Sequence, residues 1–116
     1  MRRGDIWTVA GAKDYAGKAR PVAILGDHSF DGTESITICA FTTDDADAPL
    51  FRLAVEPNER NGIRLRCHLM VDKVTTVSKS TVGAHIRRLD DEDVLRLNRA
   101  MLVFVGPATS PEIKKA

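Results

Sequence analysis

Up to residue 88 the sequence never sustains a helical period, and only after residue 90 does one begin. Ile6-Trp7-Thr8-Val9 and residues 35–43 are short and rich in β-branched and aromatic side chains, which suit a pleated, half-buried surface. Pro21-Val22-Ala23-Ile24-Leu25 is a compact apolar run, too short for a helix and suited to a buried strand. Residues 50–55 alternate, with Phe51, Leu53 and Val55 on the opposite side from Arg52 and Ala54. Pro57-Asn58 and Asn61-Gly62 punctuate the next turn; residues 69–77 supply a further strand and Ala84-His85-Ile86-Arg87-Arg88 a last one. Five or six strands with no helix between them predict a small curled antiparallel sheet or barrel.

The ending changes period. Asp90 is placed to cap a helix, with Asp91, Glu92 and Asp93 favourable to its dipole. Val94, Leu97, Met101, Phe104 and Val105 recur at helical spacing, and Gly106-Pro107 stops the run. One amphipathic helix is thus expected to close the sheet, with residues 107–116 a frayed tail.

The chain of 116 residues suits one domain, spanning 1–116, and its 43% hydrophobic and 28% charged residues fall in the globular range. The longest apolar runs are far shorter than the ~20 residues that span a bilayer. No apolar stretch follows Met1-Arg2-Arg3, so no secretory signal is readable and a cytoplasmic location is expected. Cys39 and Cys67 form no Cys-x-x-Cys pair and read as reduced packing residues. His28, His68 and His85 lack ligand spacing, and neither a metal nor a cofactor is expected. Nucleotide-loop, zinc-protease and serine-hydrolase motifs are missing from the sequence.

The net charge of +1 conceals a segregated chain. Asp27, Asp31, Glu34, Asp44, Asp45 and Asp47 lie in a stretch with no Lys or Arg. Arg60, Arg64, Arg66, Lys73, Lys79, Arg87 and Arg88 crowd residues 58–88 against only Glu59 and Asp72. Such a pattern permits a basic face that meets phosphates, although each block also reads as an ordinary solvated surface.

Several strings then carry a resemblance: Arg3-Gly4-Asp5-Ile6-Trp7, Gly17-Lys18-Ala19-Arg20-Pro21-Val22, Phe41-Thr42, Asn61-Gly62-Ile63-Arg64 and Asp72-Lys73-Val74-Thr75-Thr76-Val77. In order and spacing, over residues 3–106, they resemble the MazF/PemK family of toxin endoribonucleases. The resemblance implies an SH3-like curled antiparallel β-barrel with a C-terminal helix. It also implies a homodimer that cuts single-stranded RNA without a metal, leaving 2′,3′-cyclic phosphate and 5′-hydroxyl ends, and a cognate MazE-like antitoxin.

Family catalysis maps onto Arg20 and Thr42. As the 2′-hydroxyl attacks phosphorus, negative charge grows on the non-bridging oxygens; a guanidinium can stabilise it by two parallel hydrogen bonds, and a threonine hydroxyl can hold the phosphate in line. Without the family, Arg20 reads as a structural ion-pair residue and Thr42 as a strand former. The resemblance further suggests Lys18, Cys67, Asp72, Lys73 and Lys79 as substrate contacts. Some relatives use an aspartate where Asp72 stands, with an arginine two residues earlier; that earlier position here is Met70. Arg66 and His68 are nearby alternatives, and Cys67 occupies a position where many relatives have serine. Two rivals share the barrel. Gyrase-poisoning CcdB-like toxins end in Trp-Gly-Ile, whereas this sequence ends Ile113-Lys114-Lys115-Ala116; a catalytically silent binding barrel leaves Arg20 and Thr42 without a role.

Overall fold

A computed structural model of the chain describes residues 1–10, 19–26, 32–43 and 51–106. The charge block at Asp27, Asp31, Asp44, Asp45 and Asp47, the substrate-contact candidate Lys18 and the tail at 107–116 lie outside them. The elements are β1 (Asp5–Val9), β2 (Arg20–Ile24), β3 (Ser35–Thr42), β4 (Arg52–Val55), β5 (Cys67–Met70), β6 (Thr75–Ser78), β7 (Val82–Arg88) and α1 (Asp91–Val105). All strand pairs are antiparallel, in the order β4-β5-β3-β2-β1-β7 with β6 also on β3. Among the described residues the sheet curls without closing: β4 and β7 end the path, and near them the Arg88 amide donates to the Arg60 carbonyl at 3.4 Å. None of the described helices is long and apolar enough to cross a membrane.

Among the described residues seven strands form rather than five or six, because the stretch expected as one strand over 69–77 breaks at a 3-10 turn, Val71–Lys73. Pairing with β3 ends at Leu69, while the Val71 amide extends the β4–β5 register by donating to the Phe51 carbonyl at 3.0 Å, and the Val71 side chain is fully buried. The chain then rejoins β3 farther back, so one edge of β3 serves two strands: Phe41 and Thr42 pair with β5, and residues 35–38 pair with β6.

Both faces of the central strands are covered. Ala23, Leu25 and Cys39 pack with Ile6, Leu69 and Leu97 in one core, while Val22, Ile24, Ile36 and Ile38 pack with Val9 in another. Alternate residues of β2 therefore enter different cores, which is why this strand reads as a continuous apolar run. Helix α1 covers the first core with Leu97 fully buried and Val94, Ala100 and Met101 against it. Phe104 reaches Phe51 at 6.4 Å between ring centroids, yet Leu95, Leu102, Val103 and Val105 remain exposed.

The expected cap differs in one respect. Asp90 has the extended backbone of an N-cap and its carbonyl accepts from the Val94 amide, but its side chain makes no capping bond. Its carboxylate instead accepts from Asn58 Nδ2 at 2.8 Å and ties the helix start to the loop after β4. Gly106 ends the helix in the left-handed region as expected, its amide donating to the Leu102 carbonyl.

Candidate active-site cleft

The register of β2 against β3 assembles the site. Val22 stands opposite Ala40, and continuing that register two residues outward brings Arg20 level with Thr42. On the other side of β3, Thr42 is paired with His68 of β5. Arg20, Thr42 and His68 thus form one row across three strands, with side chains on the same face of the sheet because directly opposed residues share a face. Their separation in sequence disappears through pairing alone.

Arg20 and Thr42 open into a cleft of about 520 Å³. Pro21, Phe41 and Thr43 extend their side of it, Ile6, Cys67 and Ile86 contribute apolar surface, and residues 62–65 supply the facing loop. Arg20 is exposed and Thr42 half-buried, as a solvent-reachable reaction site requires.

Residue Asn61, fully buried, builds that loop. Its Oδ1 accepts from the amides of Asn58 and Ile63 at 3.1 and 2.9 Å, and its Nδ2 donates to the Glu56 carbonyl at 2.9 Å. Asn58 Oδ1 accepts from the amides of Arg60 and Asn61 in return. Gly62 follows at φ +67, where a Cβ would stand 2.8 Å from Arg87 Cδ. Glycine is therefore required twice over, by backbone conformation and by the passage of the Arg87 side chain. The Asn61-Gly62 pair turns the chain so that Ile63, Arg64 and Leu65 reach the cleft.

The remaining sequence candidates are distributed. Cys67 lines the cleft, whereas Asp72, Lys73 and Lys79 do not: they sit on 3-10 turns after β5 and β6. Asp72 is held by Arg52, with Nη2 donating to Oδ2 at 3.2 Å and Nε 3.1 Å from Oδ1. Arg52 lies opposite Met70 in the β4–β5 register, so a cation reaches Asp72 from the neighbouring strand although β5 itself lacks one. Sequence reading missed this partner because the pairing of β4 with β5 was invisible in it. Arg66 pairs with Glu56 at 2.6 Å. Arg64 and Leu65 were also missed as site residues; the signal available was their place directly after Asn61-Gly62. Among the described residues no group of three or more His, Cys, Asp or Glu side chains could hold a metal ion.

Both cysteines are free and buried. Burial, then the Glu56 carboxylate, pushes the Cys67 thiol from 9.0 up to about 11. Burial and then Asp72 push Cys39 up to about 12, against smaller lowering effects of the Met70 backbone and Arg52. Cys67 is therefore a neutral thiol in the cleft at pH 7, not a nucleophilic thiolate. An unfolded chain would release these protons near 9.0, so above that pH the folded state binds more protons and stability falls until the folded pKa values of about 11 and about 12 are passed. The slope is on the order of 1 kcal/mol per pH unit per thiol. Urea unfolding between pH 9 and 11 should show a shallower decline in Cys67→Ala than in the unaltered protein; equal slopes would contradict this origin.

Residues 2–105 match the family described as PemK-like, MazF-like toxin of type II toxin-antitoxin system. The chain is also 49% identical over 108 residues, 93% of its length and 99% of the relative's, to "Probable endoribonuclease MazF" of Mycolicibacterium smegmatis. The chain belongs to this PemK/MazF toxin family. Its fold is shared by solved structures of low sequence identity. An endoribonuclease in complex with its cognate antitoxin from a mycobacterial species superposes with a TM-score of 0.75 at 19% identity, covering 91% of this chain and 95% of that one. A MazE-MazF complex from Deinococcus radiodurans gives 0.75 at 15% identity, with 91% and 96% covered. The Mycobacterium tuberculosis toxin MazF-mt6 gives 0.70 at 22%, with 85% and 93% covered. The PemK/MazF fold expected from the sequence is therefore the fold of this chain, with its curled sheet open rather than closed among the described residues.

Proposed function

We propose that this PemK/MazF toxin is an endoribonuclease that cleaves single-stranded RNA in the cleft between β2, β3 and the 62–65 loop. The observation that carries this reading is the convergence of Arg20 and Thr42 at its mouth. In the proposed reaction the 2′-oxygen forms a bond to phosphorus, its proton passing to a base, while the bond from phosphorus to the 5′-oxygen breaks. The leaving oxygen gains a proton, and the products carry a 2′,3′-cyclic phosphate and a 5′-hydroxyl. Arg20 stabilises the charge gathering on the phosphoryl oxygens and Thr42 aligns the group. No step uses a metal. Purified protein incubated with a long mixed RNA in EDTA should yield discrete fragments with these ends. Intact RNA would support a gyrase-poisoning or silent-barrel reading instead.

Two bases remain candidates: His68 is paired with Thr42 across β3 and β5 but is buried and does not line the cleft, and Asp72 is engaged by Arg52 and does not line it either. If His68 takes the 2′-hydroxyl proton, His68→Ala should lower single-turnover cleavage steeply while fold and RNA affinity stay intact. Cleavage unchanged in His68→Ala but lost in Asp72→Asn would give the role to Asp72. Lys18, Cys67, Lys73 and Lys79 are proposed as further substrate contacts, Cys67 from within the cleft.

The proposed biological unit is a homodimer in the cytoplasm, comprising one domain per chain and neutralised by a MazE-like antitoxin. Exposed Leu95, Leu102 and Val103 on α1 offer apolar surface for association. An antitoxin segment that is disordered until bound, carrying acidic or aromatic residues, would suit a site lined by arginines and apolar side chains.

A further inference from the structure

The cleft wall facing Arg20 and Thr42 carries two side chains with no structural task in the fold. Leu65 is 68% exposed, an unusual place for a large aliphatic residue, and it lines the cleft together with Ile86. Its neighbour Arg64 is exposed, lines the same cleft, and makes no ion pair or side-chain hydrogen bond among the described residues. Arg52 is engaged by Asp72, Arg66 by Glu56 and Arg88 by Asp5 and Asp91, while Arg87, packed against Gly62, does not line the cleft. The backbone beneath Arg64 and Leu65 is nevertheless braced, because Asn61 holds the Ile63 amide and Gly62 is packed under Arg87. A rigid loop presenting an exposed apolar side chain beside an uncommitted cation matches a nucleotide, which has an apolar base face and an anionic phosphate.

We propose that Arg64 and Leu65 form a nucleotide clamp opposite Arg20 and Thr42, Leu65 covering the face of a base beside the cut and Arg64 holding a backbone phosphate. This rests on the endoribonuclease reading and adds to it a division of labour. Leu65 contributes to the choice of base, since the fit against an apolar wall depends on the base presented. Arg64 contributes affinity that is indifferent to sequence and sensitive to salt.

The test begins by mapping where the unaltered protein cuts a long mixed RNA. Short RNAs carrying that site, and single-base variants of it, are then compared as substrates. Binding is measured on the same oligonucleotides made uncleavable by a 2′-deoxy substitution at the cut. Leu65→Ala should lower kcat/KM on the preferred site about tenfold and narrow its advantage over the variants. Arg64→Gln should weaken binding similarly for all sequences and make the salt dependence shallower by about 0.7 in the slope of log affinity against log salt. Arg66→Gln removes an equal charge two residues away and should leave the slope closer to that of the unaltered protein. Circular dichroism and thermal midpoints should be unchanged in all three.

Unchanged site preference in Leu65→Ala, or equal losses in Arg64→Gln and Arg66→Gln, would overturn the clamp while the endoribonuclease reading stands. If the unaltered protein cuts no RNA, both fall together.

Discussion

Arg20→Ala should lower RNA cleavage by ~10² to 10³-fold, the usual cost of removing one donor to charge that develops in a transition state. The fold should survive, because Arg20 is exposed at the start of β2 and the strand is anchored by Val22, Ala23 and Ile24. Arg20→Lys should recover only part of the activity, since an ammonium keeps the charge but loses the two parallel hydrogen bonds. Thr42→Ala should reduce the rate less, because it removes alignment without removing a cation. The measurement is single-turnover cleavage of a defined RNA, with circular dichroism to verify folding. Near-normal cleavage by folded Arg20→Ala protein would reject the assignment of this cleft as the reaction site.

Gly4→Val should damage the fold severely, with a loss of about 2–5 kcal/mol from backbone strain and overpacking together. Gly4 lies at φ +90, and a Cβ there would stand 2.7 Å from Val94 Cγ2 on α1. Its amide donates to the Ile24 carbonyl at 2.8 Å, and its carbonyl accepts from the Leu89 amide at 2.9 Å. The residue is thus where β1, the end of β2 and the lead into α1 converge. Arg3 reinforces the junction, donating from Nε to Asn98 Oδ1 at 2.8 Å and from Nη1 to the Leu25 carbonyl. Asp5 accepts from the Arg2 amide at 2.8 Å and lies 3.7 Å from Arg88 Nε. The Arg3-Gly4-Asp5 string therefore holds the helix to the sheet. Chemical denaturation should show the large loss for Gly4→Val and a smaller one for Gly4→Ala; equal stability to the unaltered protein would mean that the helix moves aside at little cost.

Composition and periodicity made much of the architecture legible. Strand-forming segments and the terminal helix follow from side-chain spacing, a local property that pairing does not need to reveal. The break at Val71–Lys73 is hidden because Leu69, Met70, Val71 and Val74 are all apolar; only the change of register on β3, from Phe41 opposite Leu69 to Ile38 opposite Thr75, shows it. The Asp90 cap was half legible: its backbone position follows from the local pattern, but its carboxylate prefers Asn58, a partner remote in sequence.

The candidate site divides in the same way. Arg20 and Thr42 were nameable from a family pattern carried by short strings, since types and spacings survive in one dimension. Their alignment was not, because it depends on the register of β2 against β3, and one residue of slip would turn one of them to the other face. His68 came into line with Thr42 through the β3–β5 register. Arg52 reached Asp72 because β4 lies beside β5, and Arg64 and Leu65 became cleft residues because Asn61 and Gly62 turn the loop inward. The sequence alone determined which elements could form and which residue types could handle a phosphate. Tertiary structure decided which of those residues share a space, since cross-strand contacts depend on pairing and loop path rather than on distance along the chain.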